Sequence, residues 1–176
     1  NPSVLTVAVL DEVDHLPAEV QSLMHGVLEG GELVVNPEET LKVPSNMRFT
    51  CTANTSGHGD TSGRHQAAKV SDTAFTSRWN ATFTVTYLPR DAEIKVLVAA
   101  GASLDDATAA VRAAEDTRTD GADVSQPIVL RQLLAFARAC GRGEETQFAW
   151  CWRVLASLPE HDRPAMREIT RLKFGW

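Results

Sequence analysis

The chain is 176 residues long, with 43% hydrophobic and 23% charged residues and a formal net charge of −6. That is enough chain to bury a substantial core as one domain, or as one domain with a small appendage. Its apolar runs fall far short of the roughly 20 residues that a membrane-spanning helix needs, and its acidic balance argues against indiscriminate nucleic-acid binding.

Cys51, Cys140 and Cys151 are odd in number and widely spaced, which suits buried thiols in a reducing cytosol better than a disulfide framework. The opening "NPSVLTV" has neither a charged leader nor an apolar signal core. A cytoplasmic location is expected.

Val4 to Leu10 is an apolar run interrupted only by Thr6, the pattern of a short strand buried on both faces in a parallel sheet. It runs directly into Asp11 and Glu12, with a third acid, Asp14, two places on. After Pro17, the residues Val20, Leu23, Met24, Val27 and Leu28 recur at helical spacing, and Gly30-Gly31 supplies a stop. Glu32 to Val35 and Thr40 to Val43 flank "NPEE", whose Asn-Pro opening predicts a hairpin. Met47 to Ala53 alternates Phe49, Cys51 and Ala53 with Arg48, Thr50 and Thr52, predicting a second strand that ends at Asn54. The Gly-, Ser- and Thr-rich "TSGHGDTSGRHQ" is too long for a tight connection and marks a functional loop. Ala81 to Leu88 alternates again, with Phe83, Val85 and Tyr87 against threonines, and predicts a third strand stopped by Pro89.

Beyond Pro89 the chain turns Ala- and Leu-rich with helical spacing, so a boundary near residue 89 is expected. Helices are predicted over Asp91 to Ala100, from a Ser103/Asp106 capping box to about Ala114, and to Gly141 with Pro127 in a first turn. Two more are predicted, over Glu144 to Leu158 and over Arg163 to Phe174.

Open α/β sheets bind ligands outside the carboxyl ends of their strands, so "VAVLDE" puts two acids where a nucleotide and its metal can be held. In nucleotide hydrolases an Asp there binds Mg²⁺ through its water shell and a following Glu takes a proton from the attacking water. The plain alternative is an acidic helix start favoured by the helix dipole. Together with "FTCTANTSGHGDTSG" and "SRWNATFTVTYLP", the segment from Val4 to Pro89 resembles the AAA+ ATPases of the MoxR group, above all the ATPase subunits of cobaltochelatases.

That resemblance implies the C-terminal part of a three-layer α-β-α core with parallel strands over residues 1–89, followed by an all-α lid over residues 90–176. It implies ATP and Mg²⁺ as cofactors. Asp11 and Glu12 match the Walker B pair, Asp11 for Mg²⁺ through water and Glu12 for activating the attacking water. Asn54 matches the first sensor, which orients that water. Arg78 matches the arginine finger that reaches a neighbouring subunit's nucleotide, although Ser77 stands where the family usually has an acid. Arg131 matches the second sensor, which contacts nucleotide from the lid. Gly57, Gly59, Asp60 and Gly63 would shape the loop between sensor and finger. His58 and His65 also lie there, without the second ligand pair that a zinc site needs. A homo-oligomeric ring, by resemblance a hexamer, and a partner protein remodelled by it are implied too.

No G-x-x-x-x-G-K-[ST] phosphate cradle occurs in these residues. Without its backbone amides and Lys, the chain by itself is expected not to hold ATP tightly. Two expectations follow: an N-terminal half carrying the cradle precedes residue 1, or a partner chain of a split or degenerate subunit supplies it. In the family, the strand leading to that cradle lies between the strands matching Met47–Ala53 and Ala81–Leu88, so its absence would leave two strand edges unpaired. The alternative function is a non-catalytic interaction module that does not bind nucleotide. A helical adaptor would fit residues 90–176 and leave the strand-end acids unexplained.

Overall fold

The apolar run ahead of the acids forms β1 (Thr6–Leu10). A computed structural model describes residues 4–36, 38–55, 70–119 and 121–176 and separates the chain into two units, Asn1–Thr84 and Val85–Trp176. In the first unit, β1 is followed by a 3-10 turn over Val13–His15 and by α1 (Ala18–Leu28). Next come β2 (Glu32–Asn36), β3 (Glu39–Lys42), β4 (Met47–Cys51) and the short α2 (Thr73–Thr76). The predicted hairpin is present, with β2 and β3 antiparallel.

β1 and β4 pair in parallel, from Thr6 opposite Met47 to Leu10 opposite Cys51. This register places Val7 and Val9 with Arg48 and Thr50 on one face, and Ala8 and Leu10 with Phe49 and Cys51 on the other. The expectation that β1 is buried on both faces does not hold: Val7 and Val9 are 53% and 63% exposed. Two strands have no interior position, and apolar continuity alone does not bring a covering layer. α2 carries the small core of this unit. Asp72 caps it by accepting from the Ala74 N–H at 3.0 Å, and Phe75 is buried beneath it with Trp79 edge-on at 5.8 Å.

The third predicted strand does not form. Residues 81–89 take no strand or helix assignment, and Phe83 and Val85 are 85% and 92% exposed. Alternation gives a segment two chemically distinct faces, whereas a strand also needs a partner's N–H and C=O groups.

The second unit is helical: α3 (Arg90–Ala100), α4 (Leu104–Thr117), α5 (Leu130–Gly141), α6 (Thr146–Arg153) and α7 (Arg163–Phe174). A mixed α/β part with a short parallel sheet followed by helices agrees with the expected fold class. Trp150 is fully buried, edge-on to Phe136 at 5.3 Å and against Phe174 at 4.8 Å. Its indole N–H donates to Thr170 Oγ1 at 2.9 Å, so the one polar atom of the core's largest side chain is satisfied. Ser103 caps α4 as expected, accepting from the Asp106 N–H at 3.1 Å. Pro127 lies ahead of α5 rather than in its first turn. Ile128 is held outside the helix, its N–H donating to Thr117 Oγ1 at 2.9 Å and its carbonyl accepting from Arg118 Nε at 2.9 Å. The predicted helix over Glu144 to Leu158 breaks after α6 into a 3-10 turn, Leu155–Ser157. All three cysteines are free, but Cys151 is exposed and the other two only partly buried, so the buried-thiol expectation is corrected. Among the described residues no helix is long and apolar enough to cross a membrane.

Two contacts fix how these helices meet. The Arg118 guanidinium forms a fork on Glu93, with Nη1 to Oε2 at 2.8 Å and Nη2 to Oε1 at 2.9 Å, and lies 4.0 Å from the centre of the Tyr87 ring. Glu93 is 1% exposed. Arg118→Ala leaves that carboxylate buried without its partner, and urea unfolding should show a stability loss of about 3–5 kcal/mol. The second contact joins the ends of α3 and α5, where Gly101 has φ +117° and a Cβ there would stand 2.5 Å from the Gly141 Cα. Gly101→Ala combines a left-handed backbone with overpacking and should cost at least about 1–3 kcal/mol in the same measurement.

Candidate functional site

β1 and β4 end at the same level, so the residues that follow them emerge together. The ladder continues one step, with the Thr52 N–H donating to the Leu10 carbonyl and the Val13 N–H donating to the Thr52 carbonyl, both at 2.9 Å. Thr52 is therefore held directly beside the first two acids. Its hydroxyl accepts from the Glu12 N–H at 3.0 Å and donates to Asp11 Oδ1, using both roles of a single O–H group. Asp11 and Glu12 are exposed, so both carboxylates face water at the strand ends.

Glu12 has φ 53° and ψ 50°, in the left-handed region. Among the described residues it is the one non-glycine residue with positive φ, a conformation that costs a residue with a Cβ about 1–2 kcal/mol. The bonds from Thr52 on one side and the 3-10 turn on the other hold it there, the turn being closed by the His15 N–H on the Glu12 carbonyl at 3.0 Å. The strain sends the chain sharply away from β1 and leaves the Glu12 side chain beside the sheet end, where its Oε2 lies 3.3 Å from His15 Nδ1. Strain of this kind gathers at functional positions, where surrounding structure over-determines it.

Asn54 follows β4 and is exposed. Its backbone N–H donates to Asp14 Oδ2 at 2.9 Å, and the Thr55 N–H donates to the same oxygen at 3.0 Å. The structure thus brings Asp11, Glu12 and Asn54 to one sheet end. Burial, together with the nearby Asp14 charge, pushes the Cys51 thiol up, so at neutral pH it stands there as a neutral thiol rather than as a nucleophile.

Arg78 lies elsewhere in this unit, just past α2. Its Nη2 is 2.9 Å from Glu29 Oε1 and its Nη1 donates to the Ala74 carbonyl. Arg131 belongs to the second unit, where it is exposed on the first turn of α5. Gly57, His58, Gly59, Asp60, Gly63 and His65 lie outside the described residues.

Two residues of the site escape sequence reading. Thr52 has the signal of being one position beyond Cys51, the partner of Leu10, but this needs the register. Asp14 reads as one more acid after Asp-Glu, and nothing in a linear sequence shows it turned inward.

Chemically, the cluster offers two exposed carboxylates, a nearby imidazole and a carboxamide at the open end of a parallel sheet. Among the described residues no group of three or more His, Cys, Asp or Glu side chains is placed to hold a metal. A Mg²⁺ that keeps its waters and is shared with phosphate oxygens needs only one or two protein carboxylates. Asp11 suits that mode, since one oxygen is anchored by Thr52 and the other is open to a water shell.

No family model matches the chain. It is similar to the aerobic cobaltochelatase subunit CobS of a Sinorhizobium species, 27% identical over 177 residues, an alignment covering 95% of this chain and 53% of that protein. The chain therefore spans about half the length of the curated relative it matches.

Proposed function

We propose that the chain carries the water-activating half of an AAA+ ATPase site, in a cobaltochelatase-type ATPase subunit of the MoxR group. The observation that carries this reading is the placement of Asp11, strained Glu12 and Asn54 at the ends of two adjacent parallel strands. Similarity to a cobaltochelatase subunit along nearly the whole chain supports it. Asp11 holds Mg²⁺ through water, Glu12 accepts the proton of the attacking water, and Asn54 orients that water. When bound, Mg²⁺ neutralises charge on the transferred phosphoryl group. The phosphate cradle, absent from these 176 residues, must come from protein outside them, either a preceding part of the same protein or a partner chain.

In this reading Arg78 serves a neighbouring subunit's nucleotide in a homo-oligomeric ring, proposed to be a hexamer, and Arg131 contacts nucleotide from the helical lid. To do so Arg78 must leave Glu29. That exchange gives up an ion pair whose arginine is only 23% exposed together with the Nη1 bond to the Ala74 carbonyl. ATP turnover would then drive remodelling of a partner protein in the cytoplasm, with metal insertion into a tetrapyrrole as one output. The second reading is a non-catalytic interaction module that does not bind nucleotide.

ATP binding and hydrolysis separate the two. In the assembled protein, Glu12→Gln should lower turnover by about 10²–10⁴-fold, the usual contribution of a positioned base, and leave ATP affinity within a few-fold; unaltered hydrolysis would remove Glu12 from the reaction. Subunits carrying Arg78→Ala and subunits carrying Glu12→Gln should each be inactive alone and regain turnover when mixed, because only mixed rings pair an intact Arg78 with an intact Glu12. Failure to recover would show that Arg78 does not act across an interface.

A further inference from the structure

Asp14 takes no part in the roles given to Asp11, Glu12 and Asn54, yet it is 0% exposed. It lies in the 3-10 turn two residues after Glu12. One of its oxygens, Oδ2, accepts three donors from the far side of the sheet end: the Asn54 N–H at 2.9 Å, the Thr55 N–H at 3.0 Å and the Thr55 hydroxyl at 3.2 Å. Its other oxygen, Oδ1, is buried and has no donor. A carboxylate withdrawn from water and left half unpaired is a poor way to stabilise a turn.

What this arrangement does accomplish is geometric. The backbone bonds joining the two strands end with Thr52 on Leu10 and Val13 on Thr52. Beyond that point the N–H groups of Asn54 and Thr55 have Asp14 as their partner. Beyond Thr52, the backbone of Asn54 and Thr55 is thus tied to the Glu12 turn through one side chain that belongs to that turn. Because the same turn holds Glu12 in its left-handed conformation, a shift of either residue is passed to the other through Asp14.

We propose that Asp14 is a positioning residue for ATP hydrolysis, a charged tether that fixes the carboxamide of Asn54 against the water activated by Glu12. This rests on the hydrolytic reading of Asp11, Glu12 and Asn54. Charge-assisted bonds from backbone N–H groups to a carboxylate are stronger and shorter than neutral ones, so the tether resists the sub-ångström drift that separates a productive site from an idle one.

Two readouts on the full chain test it. In Asp14→Ala, amide hydrogen exchange should speed up at least tenfold at Asn54 and Thr55 and stay within twofold across β1 and β4. In the ATP-hydrolysing assembly the same substitution should lower kcat at least tenfold with KM for ATP within twofold. Asp14→Asn keeps one acceptor of the same shape without the charge, and should recover part of both losses. Unchanged exchange at Asn54 and Thr55 would overturn the tether. So would a uniform loss of protection through β1 and β4, which would make Asp14 a fold element only. Faster exchange with an unmoved kcat would overturn the role in hydrolysis. Absence of turnover in the unaltered assembly would instead sink the hydrolytic reading and this proposal together, while the exchange measurement, made without nucleotide, still reports on the tether.

Discussion

The register between β1 and β4 is the constraint on which the candidate site depends. Because Leu10 lies opposite Cys51, the next residues, Asp11 and Thr52, meet at the edge of the ladder, and every further contact of the cluster grows from that meeting. A slip of one residue would reverse the face on which each side chain stands. Thr52 would lose Asp11 and Glu12, and Asn54 would lose Asp14. A parallel pair cannot be registered by a tight turn; here a helix and a hairpin lie between the two strands, and register is read from side-chain fit and from the few polar bonds at the strand ends.

Those polar bonds also explain how a strained residue survives. Glu12 sits in a conformation that glycine would adopt more readily, yet glycine would have no carboxylate. Thr52 ties the Glu12 N–H and the Asp11 carboxylate to β4, and the following turn closes over the Glu12 carbonyl. The energy stored in one backbone torsion is offset by a local network, while the carboxylates of Asp11 and Glu12 stay in water. A preorganised acceptor at the open end of a sheet is what the proposed water-activating site requires.

The helical unit is organised on a different principle. Its core closes around Trp150 and small residues of α4, and two features decide the fit. One is the fork of Arg118 on buried Glu93, which is geometrically selective because both partners are planar and doubly bonded. The other is the approach of Gly101 to Gly141, possible only where neither residue carries a Cβ. Large apolar contacts supply the bulk of the burial, and these two contacts select one arrangement of the helices.

Local periodicity and capping by themselves located the helices of the second unit, though not the end of α6 at Arg153, and also the hairpin and both strands of the parallel pair, because amphipathic spacing and Ser, Asp, Gly and Pro punctuation act within a few residues. They also placed Asp11 and Glu12 at a strand end. Other features were decided only by tertiary structure. Residues 81–89 alternate as a strand would but have no ladder, since hydrogen-bond partners come from elsewhere in the chain. Val7 and Val9 are exposed because a covering layer is not encoded in the strand it covers. Pro127 stands outside α5 because Thr117 and Arg118 hold the N–H and carbonyl of Ile128 outside the helix. Asp14, indistinguishable in the sequence from its exposed neighbours, is buried because the register of β4 brings two unpaired N–H groups to it. A sequence read alone shows which groups a segment carries, and only the folded chain shows which of them are left needing a partner.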